Sequence, residues 1–274
     1  MKSAPNSRAN LDRALQRFAG DFMKANELRG LMANAIVAHM IGEGVVKGGS
    51  GLRFRFGERN TRMTMDLDTA WKTDLDSFLK NLKSRLAEGW NGFSGEIRIL
   101  PQAKPNGVPF EYVMQPCEVK LKYLGTPWFT VSLEIGHNEI GDADASDLVE
   151  MPETLADLCD FLCLRRLPPI PAMRLEHQVA QKLHGVSAPG SRRAHDLIDL
   201  QLIFANGCVD IPLVASLCRA LFKYRQVHAW PPRIAKGDGW EEVYNRQRGK
   251  LSVLESVDEA IAWANELIEK IDKA

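Results

Sequence analysis

One stretch, residues 45–69, limits what this chain can fold into more than any other. It reads VVKGGSGLRFRFGERNTRMTMDLDT. Two valines lead into a Gly-Gly-Ser sequence at 48–50, and the aspartates Asp66 and Asp68 stand near the other end, separated by one leucine. Glycine permits tight turns and lets a backbone approach a ligand closely. The stretch therefore predicts a short apolar run, a turn and a strand that carries two acids.

The two aspartates predict a metal site if residues 64–69 form a β-strand. Strand side chains alternate, so Asp66 and Asp68 would share one face and Leu67 would point to the other. Two carboxylates offer the hard oxygen ligands of Mg²⁺, which completes its shell with water and substrate phosphates. Residues 47–50 suit those phosphates, because exposed N–H groups at a following helix N-terminus bind anions.

Each part of this pattern also has a plain structural reading. A pair of aspartates separated by one residue often lies in a solvated loop or caps a helix, and Gly-Gly-Ser is a common turn. The two features together, joined by an arginine-containing segment, indicate a metal–triphosphate site more strongly than either feature alone.

Composition narrows the class of protein. The chain has 274 residues, and its 35 basic residues balance 35 acidic ones, which leaves only local patches to attract nucleic acid. Five cysteines without CxxC spacing predict neither a disulfide framework nor a zinc ribbon, and favour a reducing cytoplasm. A polar start at residues 1–10 and the absence of a run of eighteen apolar residues predict neither export nor a membrane span.

Periodicity predicts an α+β fold with a mixed sheet, flanking helices and a mostly helical C-terminal part. Helical spacing covers residues 11–41 and 74–88, and a short helix is expected over 51–56, ending near Gly57. Strand patterns follow over 95–100, 111–124 and 128–135. We predict a flexible N-terminus over 1–10, an α/β domain over 11–165 and a helical domain over 166–274, with the proline-rich residues 167–171 as the joint.

Glu134 is the candidate for a third carboxylate. In the sequence VSLEIG, Val131, Leu133 and Ile135 share one face of a strand, so Glu134 points to the other. A strand placed beside the Asp66 strand would bring Glu134 toward the two aspartates. The alternative is an exposed charge on an alternating strand. Three aspartates just downstream are interpreted as loop solvation, namely Asp142, Asp144 and Asp147.

A second informative stretch lies in the helical part. Residues 174–184 read RLEHQVAQKLH, and Lys182 borders an apolar stripe formed by Leu175, Val179 and Leu183. After a loop, residues 192–203 read RRAHDLIDLQLI. Taken alone, Lys182 is a surface lysine. Arg192 and Asp196 then form a helix salt bridge worth roughly 0.3 kcal/mol.

Both stretches together resemble one known family, the AbiEii-type nucleotidyltransferase toxins of type IV toxin–antitoxin systems. Its signature KGG[ST]-x-L-x-x-x-[FY]-G, followed by [ST]-x-D-[IL]-D, matches residues 47–57 and 64–68. Its A-x-K-L-x-A segment matches Ala180, Lys182 and Leu183, with Gly185 in place of the last alanine. Its R-x-x-D-L-x-D-L segment begins at Arg193 and includes Asp196 and Asp199.

The resemblance implies a nucleotidyltransferase fold and a Mg²⁺-dependent transfer of a nucleotide from an NTP. It assigns Asp66 and Asp68 as Mg²⁺ ligands and Glu134 as the third carboxylate or the base. Lys182 would meet the triphosphate, and Asp196 would orient Lys182 or the nucleotide. The other implied contacts are nucleotide binding by Lys47, Gly48, Gly49, Ser50 and Arg193, and RNA binding by a basic rim of Arg53, Arg55 and Arg62.

The resemblance also implies the biological setting. The acceptor would be the 3′ end of tRNA, the chain would act as a cytoplasmic toxin, and a cognate antitoxin would exist. Two alternatives stay open. The chain transfers the nucleotide to a protein or a small molecule, or it is a non-catalytic nucleotide-binding partner built on the same scaffold.

Overall fold

The structure, a computed structural model, describes residues 3–72, 74–103 and 113–274, and these form two compact units. The first unit comprises the described residues of Met1–Gly57, Thr64–Asn138 and Ser146–Ala172. The second comprises Glu58–Met63, Glu139–Ala145 and Met173–Ala274. The chain therefore passes between the units more than once, and the segment just before Thr64 belongs with the helical unit.

The first unit is built on a mixed sheet, which confirms the predicted fold class. Its strands in the described ranges are β1 Gly44–Lys47, β2 Leu67–Trp71, β3 Phe93–Ile99, β4 Gln115–Tyr123, β5 Thr126–Gly136, β6 Ser146–Val149 and β7 Ile170–Met173. Their spatial order is β3-β4-β5-β2-β1-β7-β6. Strand β2 pairs antiparallel with β1 and parallel with β5, so it lies at the centre of the sheet.

Helices cover this sheet with apolar surface. They are α1 Arg8–Ala19, α2 Phe22–Met40, α3 Gly48–Phe56, α4 Leu75–Glu88 and α5 Glu153–Phe161. Most of α2 from Leu28 onward is buried, and its side chains join those of the central strands in one hydrophobic core. Burying apolar surface in this way provides the main favourable term for folding of the unit.

Helix α1 begins at Arg8, inside the segment 1–10 for which the sequence predicts flexibility. The Ser7 side chain accepts a hydrogen bond from the Asn10 amide and so caps the first turn. The Tyr123 hydroxyl donates to the carbonyl of Pro5 at 2.5 Å, which attaches the preceding residues to β4. Described structure therefore starts earlier than the polar composition of this segment predicts.

The proline-rich joint is also more regular than predicted. Residues 170 and 171 enter strand β7, although the prolines argue against a strand inside the sheet. Val46 of β1 is the register partner of Ala172, so Pro171 is not the paired residue at this contact. Strand β6 has no counterpart in the prediction, and residues 111–112 of the predicted strand 111–124 lie outside the described ranges.

The second unit is helical, as the sequence predicts for this part of the chain. Its helices are α6 Leu175–Ser187, α7 His195–Asn206, α8 Ile211–Arg225, α9 Trp240–Arg248 and α10 Val257–Asp272. A capping box of Ser256 and Glu259 starts α10. Within the described ranges, we find no helix that combines the length and the apolar character needed to cross a membrane.

Candidate active site

Helix α3 begins directly at the glycines. It starts at Gly48, whereas the sequence predicts a helix only from residue 51, so the Gly-Gly-Ser sequence is the first turn and not a separate loop. Gly48 has φ of +62°, a conformation that glycine adopts without steric cost. The N-cap residue Lys47 makes no side-chain capping hydrogen bond. The first N–H groups of α3 therefore receive no cap from the Lys47 side chain, and the N–H groups at a helix start favour an anion.

Asp68 lies against this helix start. The register pairs Asp68 with Lys47 on β1 and with Glu134 on β5, which places the three residues in one row across adjacent strands. A Cβ atom added to Gly48 would come within 2.0 Å of Asp68 Oδ2. Residue 48 therefore has to lack a side chain for the Asp68 carboxylate to occupy its position. The predicted neighbourhood of Glu134 and the aspartate strand is confirmed by this register.

Asp66 occupies a different environment from the predicted one. Strand β2 begins at Leu67, so Asp66 precedes the strand and is exposed. Its backbone carbonyl accepts a hydrogen bond from the Ser50 hydroxyl at 2.5 Å. Ser50 is only 2% exposed, and its hydroxyl proton therefore points to the backbone next to the aspartate pair.

Lys47 places a cation in the same row. Its side chain is 8% exposed, and a Cβ atom at Gly136 would lie 2.6 Å from the Lys47 ammonium. Gly136 therefore leaves room for this ammonium on the sheet. A buried positive charge near carboxylates reduces their mutual repulsion in the absence of a ligand.

The carboxylates present fit a divalent cation that keeps part of its shell for other ligands. Among the residues that the structure describes, no three His, Cys, Asp or Glu side chains converge as a metal-binding group. Asp66 and Asp68 offer hard oxygen atoms, and Mg²⁺ commonly takes only one or two protein carboxylates together with water and substrate phosphates. The Asp68 carboxylate lies against Gly48, so one of these oxygen groups is at the start of α3.

The helical unit contains a buried ion network around Lys182. The Lys182 ammonium donates to Asp196 Oδ1 at 3.0 Å and to Asp199 Oδ2 at 2.6 Å. Lys182 is 4% exposed, so it is not the surface lysine of the plain reading. Helices α6 and α7 bring these groups together across a loop, as the order of the two sequence segments suggests.

Two arginines complete the network. The guanidinium of Arg62 holds Asp199 with two hydrogen bonds, at 2.9 and 3.1 Å. Arg193 Nε donates to Asp196 Oδ2 at 2.5 Å, so Arg193 is the partner of Asp196 in place of Arg192. A Cβ atom on Gly185 would lie 2.8 Å from Arg193 Nε, so an alanine at this position would require the Arg193 side chain to shift.

The electrostatics of the network follow from its burial. Burial by itself raises the pKa of Asp196 and of Asp199, but the charges of Lys182 and the neighbouring arginine outweigh it and lower both pKa values. Burial lowers the pKa of Arg62, and Asp199 reverses this and raises it. Both acids are therefore ionised at neutral pH and saturated by cations.

The three arginines predicted to form a basic RNA-binding rim each bind a protein oxygen. Arg53 is 6% exposed and donates to the carbonyl of Thr64 at 3.4 Å. Arg55 forms an ion pair of 2.8 Å with Asp147, and Arg62 is engaged by Asp199. A phosphate contact at these positions would have to compete with existing partners.

The downstream aspartates are not simply solvated either. Asp142 is fully buried and accepts a hydrogen bond from the Glu139 amide at 2.9 Å, which corrects the interpretation of this residue as loop solvation. Gln181 on α6 donates to the other Asp142 oxygen at 2.5 Å. Asp142 thus stabilises the 139–145 segment within the second unit.

Two residues of this region have roles that the sequence patterns did not assign. Asp199 joins Lys182 to Arg62, and its place in the R-x-x-D-L-x-D-L segment is a signal that points to it. Asn34, buried in α2, donates to the carbonyl of Met65 at 3.1 Å. No local pattern marks Asn34, because a single asparagine in an apolar helix carries no spacing signal.

Comparison with known proteins agrees with this architecture. The family model described as nucleotidyl transferase AbiEii toxin, type IV TA system, matches residues 31–266. The nucleotidyltransferase toxin MenT4 from Mycobacterium tuberculosis H37Rv has a similar fold, with a TM-score of 0.52 and 18% identity over 97% of this chain and 98% of that one. JHP933 from Helicobacter pylori aligns with a TM-score of 0.46 and 16% identity over 89% of each chain. No protein of curated function matches.

The family model assigns the chain to the nucleotidyltransferases. The chain belongs to the AbiEii nucleotidyltransferase toxin family of type IV toxin–antitoxin systems, which confirms the resemblance seen in its sequence. It is therefore an NTP-using enzyme of a toxin–antitoxin system, and the family implies an antitoxin as partner.

Proposed function

We propose that the protein transfers a nucleoside monophosphate from an NTP to the 3′ end of tRNA in a Mg²⁺-dependent reaction, as a toxin acting in the cytoplasm. The observation that carries the proposal is the contact between the Asp68 carboxylate and Gly48 at the start of α3. It supports the proposal because a carboxylate, a type of ligand that Mg²⁺ prefers, lies beside a helix start whose N–H groups suit phosphate. The tRNA acceptor rests on the resemblance to the AbiEii toxins.

Asp66 and Asp68 would hold Mg²⁺ in this reaction. A bound divalent ion polarises phosphoryl oxygens and lowers the pKa of an attacking hydroxyl. Glu134, the register partner of Asp68, would accept a proton or share the metal. The N–H groups of Gly48 and Gly49 bind triphosphate oxygens, and Lys47 offsets part of their negative charge.

Lys182 serves as the second cation of the reaction. It binds the triphosphate, and Asp196 orients its ammonium through the bond of 3.0 Å. Arg193 is held by the same carboxylate and supports nucleotide binding. The cost of burying Lys182 is offset by its two carboxylate partners, so its ammonium has a defined position before any ligand arrives.

The test is a transfer assay with each NTP labelled at the α-phosphate. Purified protein is incubated with Mg²⁺ and total tRNA, and parallel reactions replace tRNA by protein or metabolite fractions. The variants are Asp66→Asn and Asp68→Asn. Asp160→Asn is the matched control, because Asp160 is an exposed acid of the same unit that pairs with Arg166 on the surface.

We expect wild type and Asp160→Asn to label tRNA. The two other variants, and any reaction in EDTA, should give no labelled tRNA. If the label enters a protein or a small molecule, the proposed tRNA acceptor is wrong and the proposed nucleotide transfer is retained. Binding of Mg²⁺ and NTP without transfer to any fraction would instead support the non-catalytic alternative.

A further inference from the structure

The backbone just before β2 is held by side chains instead of by a strand partner. Three consecutive carbonyls of residues 64–66 each accept a hydrogen bond from a side chain of α2 or α3. The bonds are Arg53 Nη1 to Thr64 at 3.4 Å, Asn34 Nδ2 to Met65 at 3.1 Å, and Ser50 Oγ to Asp66 at 2.5 Å. This segment ends at the first residue of the aspartate pair.

The three donors are buried and come from two helices. Asn34 is 5% exposed, Ser50 2% and Arg53 6%. Asn34 stands alone as a polar residue among the buried positions 31–38 of α2, where its neighbours are alanine, leucine, methionine, isoleucine and valine. Burying an amide costs free energy unless the amide is hydrogen-bonded. The presence of Asn34 in this apolar surface therefore indicates that its hydrogen bond to the 64–66 segment matters.

These contacts control the direction in which the aspartates leave the backbone. A residue outside a ladder has two soft backbone dihedrals, and fixing the carbonyls of 64, 65 and 66 removes this freedom on the N-terminal side of Asp66. On its C-terminal side, Leu67 and Asp68 are fixed by pairing with β5. The backbone of the aspartate pair is thus held from both sides.

We propose that Asn34, Ser50 and Arg53 are positioning residues that set the geometry of Asp66 and Asp68 before a ligand binds. This inference rests on the proposed function of the two aspartates. It gives Ser50 and Arg53 a task other than the phosphate and RNA contacts predicted from their sequence positions. Because a misplacement of about 1 Å can reduce a rate about 100-fold, loss of one contact reduces turnover far more than it reduces stability.

The variant that isolates this effect is Asn34→Leu. Leucine has a similar size, suits the apolar surface of α2 and removes the donor to Met65. Arg53→Lys is the second variant, because lysine retains the charge and one donor. Tyr123→Phe is the matched control, since it removes one buried side-chain donor to a backbone carbonyl, that of Pro5, in the same unit.

Three experiments are done on each protein. Urea unfolding gives the free energy of unfolding, and steady-state kinetics give kcat and KM for the NTP and the Mg²⁺ concentration at half-maximal rate. Hydrogen exchange of residues 64–68 is measured without metal. We expect Asn34→Leu to lower kcat about 10- to 100-fold, to raise the Mg²⁺ requirement and to speed exchange in 64–68. Tyr123→Phe is expected to lose as much stability as Asn34→Leu but to show none of these changes. The changes in Arg53→Lys should be intermediate in size.

An Asn34→Leu protein with the kcat, Mg²⁺ requirement and exchange of Tyr123→Phe would overturn the inference. If Asn34→Leu does not fold, Arg53→Lys is compared with Tyr123→Phe in the same three measurements, and equal results would again overturn the inference. Failure of the proposed function is distinct, because wild type would then transfer no nucleotide. In that case the exchange of 64–68 still decides whether the side chains hold the segment.

Discussion

The acids of the two units differ in what surrounds them. Asp66 and Glu134 are exposed, whereas Asp196 and Asp199 are buried and each is bound by two cationic side chains. An exposed carboxylate remains accessible to a ligand, while a buried carboxylate saturated by cations serves mainly to hold those cations in place. Motifs of similar appearance, D-x-D and D-x-x-D, therefore lie in opposite environments within one chain.

The sharpest test of this comparison is Asp68→Asn. Removing a metal-binding carboxylate is expected to lower nucleotide transfer roughly a thousandfold, because metal stabilisation of developing charge amounts to several kcal/mol. The free energy of unfolding should change by less than about 1 kcal/mol, since Asp68 is only half-buried. Radiolabel transfer and urea unfolding measure the two effects. A large loss of stability with retained transfer would show that Asp68 stabilises the fold and does not bind the metal.

The converse variant is Lys182→Met in the helical unit. Each of Asp196 and Asp199 would lose a cation in a buried site, and breaking such a pair costs about 3–5 kcal/mol. The measurement is urea unfolding. Lys236→Met is the matched control, because Lys236 also bridges two acids, Glu241 at 2.7 Å and Asp258 at 2.9 Å, but does so on the surface. The loss for Lys236→Met should be much smaller, because solvent screens an exposed pair, and equal losses would contradict the role of burial.

Gly48→Ala separates backbone strain from the contact with Asp68. Both Gly48 and Gly57, at the two ends of α3, have positive φ, a backbone conformation in which alanine is strained by roughly 1–3 kcal/mol. Only at position 48 would the new Cβ meet the Asp68 carboxylate, whereas a Cβ at Gly57 has nothing within 4 Å. Transfer should therefore fall about tenfold or more in Gly48→Ala alone. Equal transfer activity of Gly48→Ala and Gly57→Ala would show that the contact between Gly48 and Asp68 does not determine activity.

The smallest expected effect is a pH dependence within the helical unit. Burial, followed by Arg225 and His228, lowers the pKa of His184 from 6.5 to about 3. A histidine that stays neutral when folded stabilises the fold fully above pH 6.5, and this contribution is lost as the pH falls toward the folded pKa. The slope for one such group is at most about 1.4 kcal/mol per pH unit.

Urea unfolding between pH 7.5 and 4.5 checks this expectation. Wild type should lose stability progressively below pH 6.5, and His184→Gln should show a shallower dependence because one titrating group is gone. The same slope in both proteins would assign the dependence to other groups.

Much of the fold could be predicted because it depends on local periodicity. The amphipathic pattern of 75–88 matches α4 Leu75–Glu88, and the five C-terminal helices lie where apolar spacing and capping residues indicate them. Strands β6 and β7 were missed because a four-residue strand has too few side chains to show alternation. Pro171 further obscured β7, since proline usually marks a break.

The site was predictable in its residue types and less so in its contacts. The motifs predict roles for Asp66, Asp68, Lys182 and Asp196, and these roles stay predictions that the variants test. They do not show that the Ser50 hydroxyl and the Arg53 guanidinium turn toward backbone carbonyls. Such contacts join residues 11 to 31 positions apart, and only the packing of α2 and α3 around β2 determines them.

The sequence by itself determined the mixed sheet, the helical C-terminal part and the membership of a nucleotidyltransferase toxin family, because these follow from periodicity and from motifs of fixed spacing. Tertiary structure alone decided which charges are buried and what they bind. Burial is a property of all the elements that surround a side chain, and it determines whether an aspartate retains oxygen atoms for a ligand or gives them to Lys182 and Arg62.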